Sequence, residues 1–408
     1  MGVKLVVMDL ISRKLYAEKV DAWLGKGQII VLVGQRRIGK SCVLKDFMIR
    51  HEHDANTNII YIDKEKKSFD FIKDYNDLNN FVDEKFEVGK HNCILIDEIQ
   101  DIHEWERSLR SYRTEDNTDI IITGSNAQML SSDLGSLLGG RYQEIHVQGL
   151  SYQEFLVFHN LEDRDESLYK YLNYGGLPGL RQVGLEEEFV WEYLKSVLNT
   201  VVLKDIIERH DIRNVAFLNK LLQYLADNTG KPISANNISN YMKNQGTTVS
   251  TNVVVDYNSY FEETYILKCV KRYDIHGKKI LETNGKYYFE DVGLRNLLTE
   301  TDSRDGDVEK VLENVVYQQL VRMGYEVKIG QLQAGEVDFI CTRQTQKVYV
   351  QVTYLLASEE TREREFGALR RINDSYPKYV ISMSPMVNRT NTYGIIHIGL
   401  RDFLVNGF

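Results

Sequence analysis

Gln28-Ile-Ile-Val-Leu-Val33, Gly34-Gln35-Arg36-Arg37-Ile38-Gly39-Lys40-Ser41 and Cys42-Val-Leu-Lys45 follow one another without a break, and the rest of the chain is read outward from them. The aliphatic run predicts a strand buried on both faces. A glycine-bounded turn comes next, and then a helical pattern. The turn fits G-x-x-x-x-G-K-S at every fixed position, in the strand–loop–helix order that this motif requires. Gly34 and Gly39 permit backbone angles that a side chain would block. Successive backbone N–H groups then point inward and cradle phosphates. The helix adds the positive end of its dipole. Lys40 is placed for the β- and γ-phosphates of ATP, and Ser41 for Mg²⁺. The predicted nucleotide contacts are Gly34, Gln35, Arg36, Arg37, Ile38, Gly39, Lys40, Ser41 and Cys42. Arg36 and Arg37 also suit contacts with a partner.

Outward from this loop, strands and helices alternate. A helix over Ser12–Leu24, capped by Ser12, comes before it. Strands are expected at Asn58–Asp63, Cys93–Asp97, Ile120–Thr123 and Tyr142–Val147, and helices at Phe69–Val88 and Trp105–Tyr112. That alternation predicts a parallel α/β sheet covered on both sides. Cys93-Ile-Leu-Ile-Asp97-Glu98 is the second fixed point: a buried strand ending in two acids. Asp97 is the expected Mg²⁺ partner, and Glu98 the group that orients or deprotonates the attacking water. Asn126, just past the fourth strand, is either a γ-phosphate or water contact or an ordinary turn residue. Arg141 follows Gly139-Gly140. It either reaches a neighbouring subunit's γ-phosphate or is a surface arginine.

Composition sets outer limits. The chain has 408 residues, enough for two or three domains, and is 43% hydrophobic and 27% charged. Four prolines leave no long Pro-rich linker, and a net charge of −9 argues against a protein that chiefly coats nucleic acid. The four cysteines have no metal-type spacing and read as reduced thiols of a cytoplasmic protein. The Val3–Ile11 run is too short to span a membrane, and no secretory cleavage pattern follows it.

The phosphate loop, Leu95-Ile-Asp-Glu-Ile-Gln100, Ile122-Thr-Gly-Ser-Asn-Ala127, Gly139-Gly-Arg141 and Leu150-Ser-Tyr-Gln-Glu-Phe155 together resemble a family of prokaryotic AAA-superfamily ATPases with a C-terminal domain of unknown function. The resemblance implies an ATP site on Gly34–Ser41, Asp97 and Glu98, a sensor role for Asn126 and a finger-like role for Arg141. Tyr174-Gly-Gly-Leu-Pro178 interrupts a helical region. It is similar to the adenine-facing turn in the lid of related signalling ATPases, with Pro178 as a flat apolar surface, and reads equally as a plain helix break.

Residues 215–298 lay out as a winged helix-turn-helix. Its second helix, Ser250–Tyr265, carries Asp256, Glu262 and Glu263. Its wing carries Lys268, Lys271, Arg272, Lys278, Lys279 and Lys286. The expected wing strands are Ile266–Tyr273 and Lys286–Glu290, joined by Asp274–Gly285. The last hundred residues have the element order of restriction-endonuclease-like nucleases, with Glu313, Glu336-Val-Asp338 and Gln351-Val-Thr353 at the matching places. A working site of that type needs a carboxylate at 351 and a lysine at 353. Gln351 is a poor ligand for a hard cation, and Thr353 carries no charge. The expectation is a nuclease fold with a degenerate centre, although Glu313, Glu336 and Asp338 could still form a weak acidic site.

The resulting expectation is an α/β protein. An AAA-type P-loop NTPase domain spans 1–150, a helical lid 151–210, a winged helix 211–300 and a restriction-endonuclease-like domain 301–408. Its expected role is an ATP-hydrolysing switch acting on DNA, as a homo-oligomer away from membranes. The alternatives are an ATP-gated, metal-dependent nuclease and an ATP-dependent scaffold for protein partners.

Overall fold

The computed structural model describes residues 10–124, 135, 138–299, 307–333, 335–356, 358–385 and 389–408. They divide into two compact units. One runs to Gln148 and includes residues 263–265; the other holds residues 149–262 and 266–408.

Five strands make the sheet of the first unit: β1 (Ile29–Val33), β2 (Thr57–Asp63), β3 (His91–Asp97), β4 (Thr118–Thr123) and β5 (Tyr142–His146). They lie in the order β2-β3-β4-β1-β5, all parallel. Every strand therefore ends on the same edge, where ligands bind in such sheets. Alternate residues serve the two faces. Ile29, Val31, Ile94, Ile96, Ile120 and Ile122 pack with Leu78, Val82, Trp105 and Leu109 of two covering helices, Tyr75–Lys85 and Trp105–Tyr112. Burying each such aliphatic side chain is worth about 1.5–3 kcal/mol. No described helix is long and apolar enough to cross a membrane.

Two helix starts depart from expectation. The first helix spans Lys14–Asp21, with Arg13 rather than Ser12 at its start. The helix expected from Phe69 begins at Tyr75, because the Asp74 side chain accepts from the N–H groups of Asn76 and Asp77 and starts a new cap there. Phe71, inside the expected helix, therefore lies ahead of the observed one and is 55% exposed.

The second unit is built on nine strands: β6 (Pro232–Ile233), β7 (Leu267–Asp274), β8 (Lys279–Phe289), β9 (Glu326–Gln331), β10 (Glu336–Arg343), β11 (Gln346–Thr353), β12 (Lys378–Ser382), β13 (Thr390–Thr392) and β14 (Ile395–Gly399). Their order is β13-β14-β12-β11-β10-β9-β7-β8-β6. The β7–β8 hairpin precedes β9 in the chain by way of two helices, yet β7 pairs parallel with β9 at Arg272–Asp274. The two stretches thus share one sheet. The hairpin is longer than expected. Asp274 pairs with Lys279, and the Asp274 carboxylate accepts from the N–H groups of His276 and Gly277 to close the turn.

Ahead of the hairpin run helices Val215–Asp227, Ala235–Asn244 (capped by Ser234) and Thr251–Glu263. The interrupted helical region resolves into Asp165–Tyr174, Leu180–Val183 and Glu187–Thr200. Its glycine turn is set by packing. A Cβ on Gly176 would lie 2.6 Å from the Leu150 carbonyl oxygen, and one on Gly175 would collide with the Asp291 carboxylate. Asp291, buried at the start of helix Val292–Leu298, accepts from the N–H groups of Gly176 (2.7 Å) and Leu294 (3.1 Å). Burial pushes its carboxyl up to about 6, against the downward pull of these backbone donors.

Candidate nucleotide site

The phosphate loop leaves β1 at the strand-end edge. Gly34 adopts φ 141° and lies against the Val147 carbonyl, which a Cβ there would strike. Gly39 adopts φ 95° and starts helix Lys40–His51. Both glycines are thus required by conformation, and Gly34 by space as well. Arg37 also has a positive φ, 64°. Ile38 is buried, Arg36 half-buried and Arg37 exposed, as is Cys42 at the first turn of the helix. The Lys40 side chain is buried beneath the loop, where its Nζ donates to the carbonyls of Gly34 (2.9 Å) and Gln35 (3.0 Å). Gln35 is buried too, and its amide finds no hydrogen-bond partner among the described residues.

The two acids stand at the end of β3. Asp97 is 1% exposed and accepts from two hydroxyls, Thr123 and Ser41. Among the described residues it has no salt-bridge partner. Burial raises its pKa, and these two hydroxyls partly oppose the rise. Thr123 also accepts from the Glu98 N–H at 2.9 Å. One hydroxyl at the end of β4 thus holds both acids in place. Glu98 itself is left-handed, with φ 55° and ψ 57°. For a residue with a Cβ this costs on the order of 1–3 kcal/mol. Its carboxylate accepts from the Gln100 amide.

Thr123 and Arg13 escape the motif reading. Arg13 is buried over the Tyr16 ring (4.5 Å to the centroid) and donates to the carbonyls of Gln148 (2.8 Å) and Ile38 (3.4 Å). It braces the phosphate loop from the preceding helix. Thr123 is visible in the sequence as a hydroxyl closing the aliphatic run Ile120–Ile122. Arg13 has no local signal.

The remaining candidates are dispersed. Asn126 lies outside the described residues. Arg141 is exposed just before β5, and its carbonyl accepts from the Ile29 N–H. That is the strand-start edge, roughly 17 Å from the phosphate loop at ~3.3 Å per strand residue. Pro178 belongs to the second unit, in the turn fixed by Leu150 and Asp291.

A second group of charges gathers in the second unit. Lys286, expected among the exposed bases of the hairpin, is instead 3% exposed. It points inward because Glu313, Glu336 and Asp338 surround its Nζ. Burial alone would lower its pKa, but the Coulombic pull of Glu313, Asp338 and Glu336 outweighs this and raises it. Arg272 is tied to Gln331, while Lys268, Lys271, Lys278 and Lys279 are exposed. Gln351 accepts from the Asp338 N–H (3.3 Å) and donates to Glu365 (2.8 Å). Thr353 is buried, and its hydroxyl has no partner among the described residues.

The family described as "AAA domain" matches residues 26–156, and the "Domain of unknown function (DUF8612)" matches residues 165–305. The chain is 33% identical over 403 residues to an uncharacterized protein of Haemophilus influenzae, covering 97% of this chain and 99% of that one. It is 27% identical over 373 residues to an uncharacterized protein of Methanocaldococcus jannaschii, covering 88% and 81%. Among solved structures it is similar to a Walker-type ATPase of Pyrococcus abyssi, with 17% identity, a TM-score of 0.49, and coverage of 71% of this chain and 96% of that chain. With its phosphate loop, its paired acids on a parallel sheet and a full-length relative above 30% identity, the chain belongs to the family of AAA-superfamily P-loop ATPases that carry a C-terminal domain of unknown function.

Proposed function

We propose that the chain binds and hydrolyses ATP, and that its nucleotide state sets how the second unit engages DNA. The observation that carries this reading is the hydrogen-bonded set Ser41–Asp97–Thr123–Glu98, at the strand-end edge beside the loop. Its oxygen donors suit a small hard cation, and a buried carboxylate that is held, among the described residues, by hydroxyls alone lacks the positive partner such an ion would be. Ser41 and Asp97 would hold Mg²⁺, which would neutralise charge on the phosphates. Lys40 exchanges the Gly34 and Gln35 carbonyls for phosphate oxygens. Glu98, fixed through Thr123, orients the attacking water and takes its proton. Asn126 is assigned a sensing role past β4, and Pro178 the adenine face of a lid over residues 151–210. Arg141 is assigned to the γ-phosphate of a neighbouring copy, so the working form is an oligomer.

For the second unit we assign a winged helix to residues 211–300 and a nuclease-like fold to 301–408. The exposed polar start of helix Thr251–Glu263, with Thr251 and Asn252, supports base contacts, and Lys268, Lys271, Lys278 and Lys279 support phosphate contacts. The acids Asp256, Glu262 and Glu263 on the same helix favour the second reading, in which the partner is a protein.

The test is ATP hydrolysis with and without double-stranded DNA, on wild type and Glu98→Gln. DNA-stimulated turnover that falls on the order of a hundredfold or more in Glu98→Gln, with ATP binding kept, is the expected result. Turnover indifferent to DNA selects the protein-partner reading. Equal turnover in wild type and Glu98→Gln would remove Glu98 from the mechanism.

A further inference from the structure

Three carboxylates and one ammonium meet inside the second unit. Nζ of Lys286, on β8, lies 2.9 Å from Glu313, 3.8 Å from Asp338, and in contact with Glu336. Glu313 comes from helix Val308–Arg322, and Glu336 and Asp338 from β10. Tyr288 donates its hydroxyl to the same Glu313 oxygen. The other Glu313 oxygen faces Gly230, where a Cβ would lie only 2.7 Å away. The second Asp338 oxygen accepts from the Val352 N–H at 2.8 Å. Among the described residues no three carboxylate, imidazole or thiol side chains are spaced as a metal cage.

We infer that Lys286 is the resident cation of this centre. Its tethered ammonium holds the place that a divalent metal would otherwise take among these carboxylates, and the centre fastens the β7–β8 hairpin rather than cutting a phosphodiester. Lys286 stands between the carboxylates a metal would need, so the two cannot be present together. The groups a cutting site would add are also missing or engaged: Gln351 is spent on the Asp338 N–H and Glu365, and Thr353 has no charge to offer. The fastening role has further support at the end of β8. The Phe289 N–H donates to Asn314 (2.8 Å), while the Phe289 carbonyl accepts from Asn314 (2.8 Å) and Gln318 (2.9 Å), all on the helix that carries Glu313. The hairpin is thus held to that helix by a charge cluster and by an amide clasp.

Mn²⁺ binding to the full chain, followed by the loss of its free-ion paramagnetic resonance signal, tests this. The nucleotide site is shared by all variants, so differences between them report the second unit. Wild type and Asp338→Asn are expected to bind the same amount of Mn²⁺. Lys286→Met is expected to gain a Mn²⁺ site and to recover part of its lost melting temperature when the ion is added, and a second change, Asp338→Asn, should remove both effects. Wild type binding more Mn²⁺ than Asp338→Asn, or a folded Lys286→Met that gains no site, overturns the inference. Should Lys286→Met fail to fold, the comparison of wild type with Asp338→Asn decides alone.

Discussion

Thr123 has a task that no motif announces. Its hydroxyl donates to Asp97 and accepts from the Glu98 N–H, so a methyl in its place leaves a buried carboxylate short of a donor and a strained backbone without its tether. Hydrogen bonds to charged groups are worth about 1.5–3 kcal/mol. Thr123→Val should therefore lower the rate of ATP hydrolysis about ten- to hundredfold, with nucleotide affinity changed far less. Thr123→Ser, which keeps the hydroxyl, should restore most of the rate; steady-state phosphate release on the three proteins checks both. The loop residues Gly34–Ser41 could be found from sequence because their chemistry is local: consecutive backbone groups around one turn. The tasks of Thr123 and Arg13 could not, because their partners lie far along the chain, even though Thr123 itself stands out at the end of an aliphatic run. The space that forbids a side chain at Gly34 likewise belongs to Val147, 113 residues on.

At the level of elements, the central strands β1, β3 and β4 of the first unit could be read directly, since a parallel sheet covered on both faces demands aliphatic runs. The second unit was harder. In the sequence its hairpin reads as short and basic, with Lys286 among the bases. Only the fold shows that β8 turns that side chain inward among three acids. The Gly175–Gly176 turn is a similar case. It reads as a helix break, yet it is a seat for Leu150 and for Asp291, whose carboxylate grips the turn from the start of another helix. Burial raises the folded-state pKa of Asp291 above its unfolded value. Its share of stability is therefore fully present below the ordinary carboxylate range and lost as pH rises through about 6. A shift from 3.8 to about 6 corresponds to about 3 kcal/mol. Wild type should lose stability relative to Asp291→Asn between pH 4 and pH 7 by up to that amount. Urea unfolding of both proteins across that range measures it.

For the molecule as a whole, the decisive feature is where Arg141 stands. The phosphate loop and the paired acids occupy the strand-end edge of the first sheet, while Arg141 opens β5 on the strand-start edge. On the proposed assignment a single copy cannot bring its own arginine to its own phosphates. Copies then join head to tail, the arrangement that closes into rings or extends into filaments. The enzyme becomes a property of the contact between two chains. Specific activity should climb with protein concentration instead of staying flat. Two dead proteins should also revive each other: Lys40→Ala brings a sound arginine, Arg141→Ala a sound phosphate loop, and their mixture should turn over ATP where neither does alone. A mixture as inactive as its parts would mean that each chain works with only what it carries.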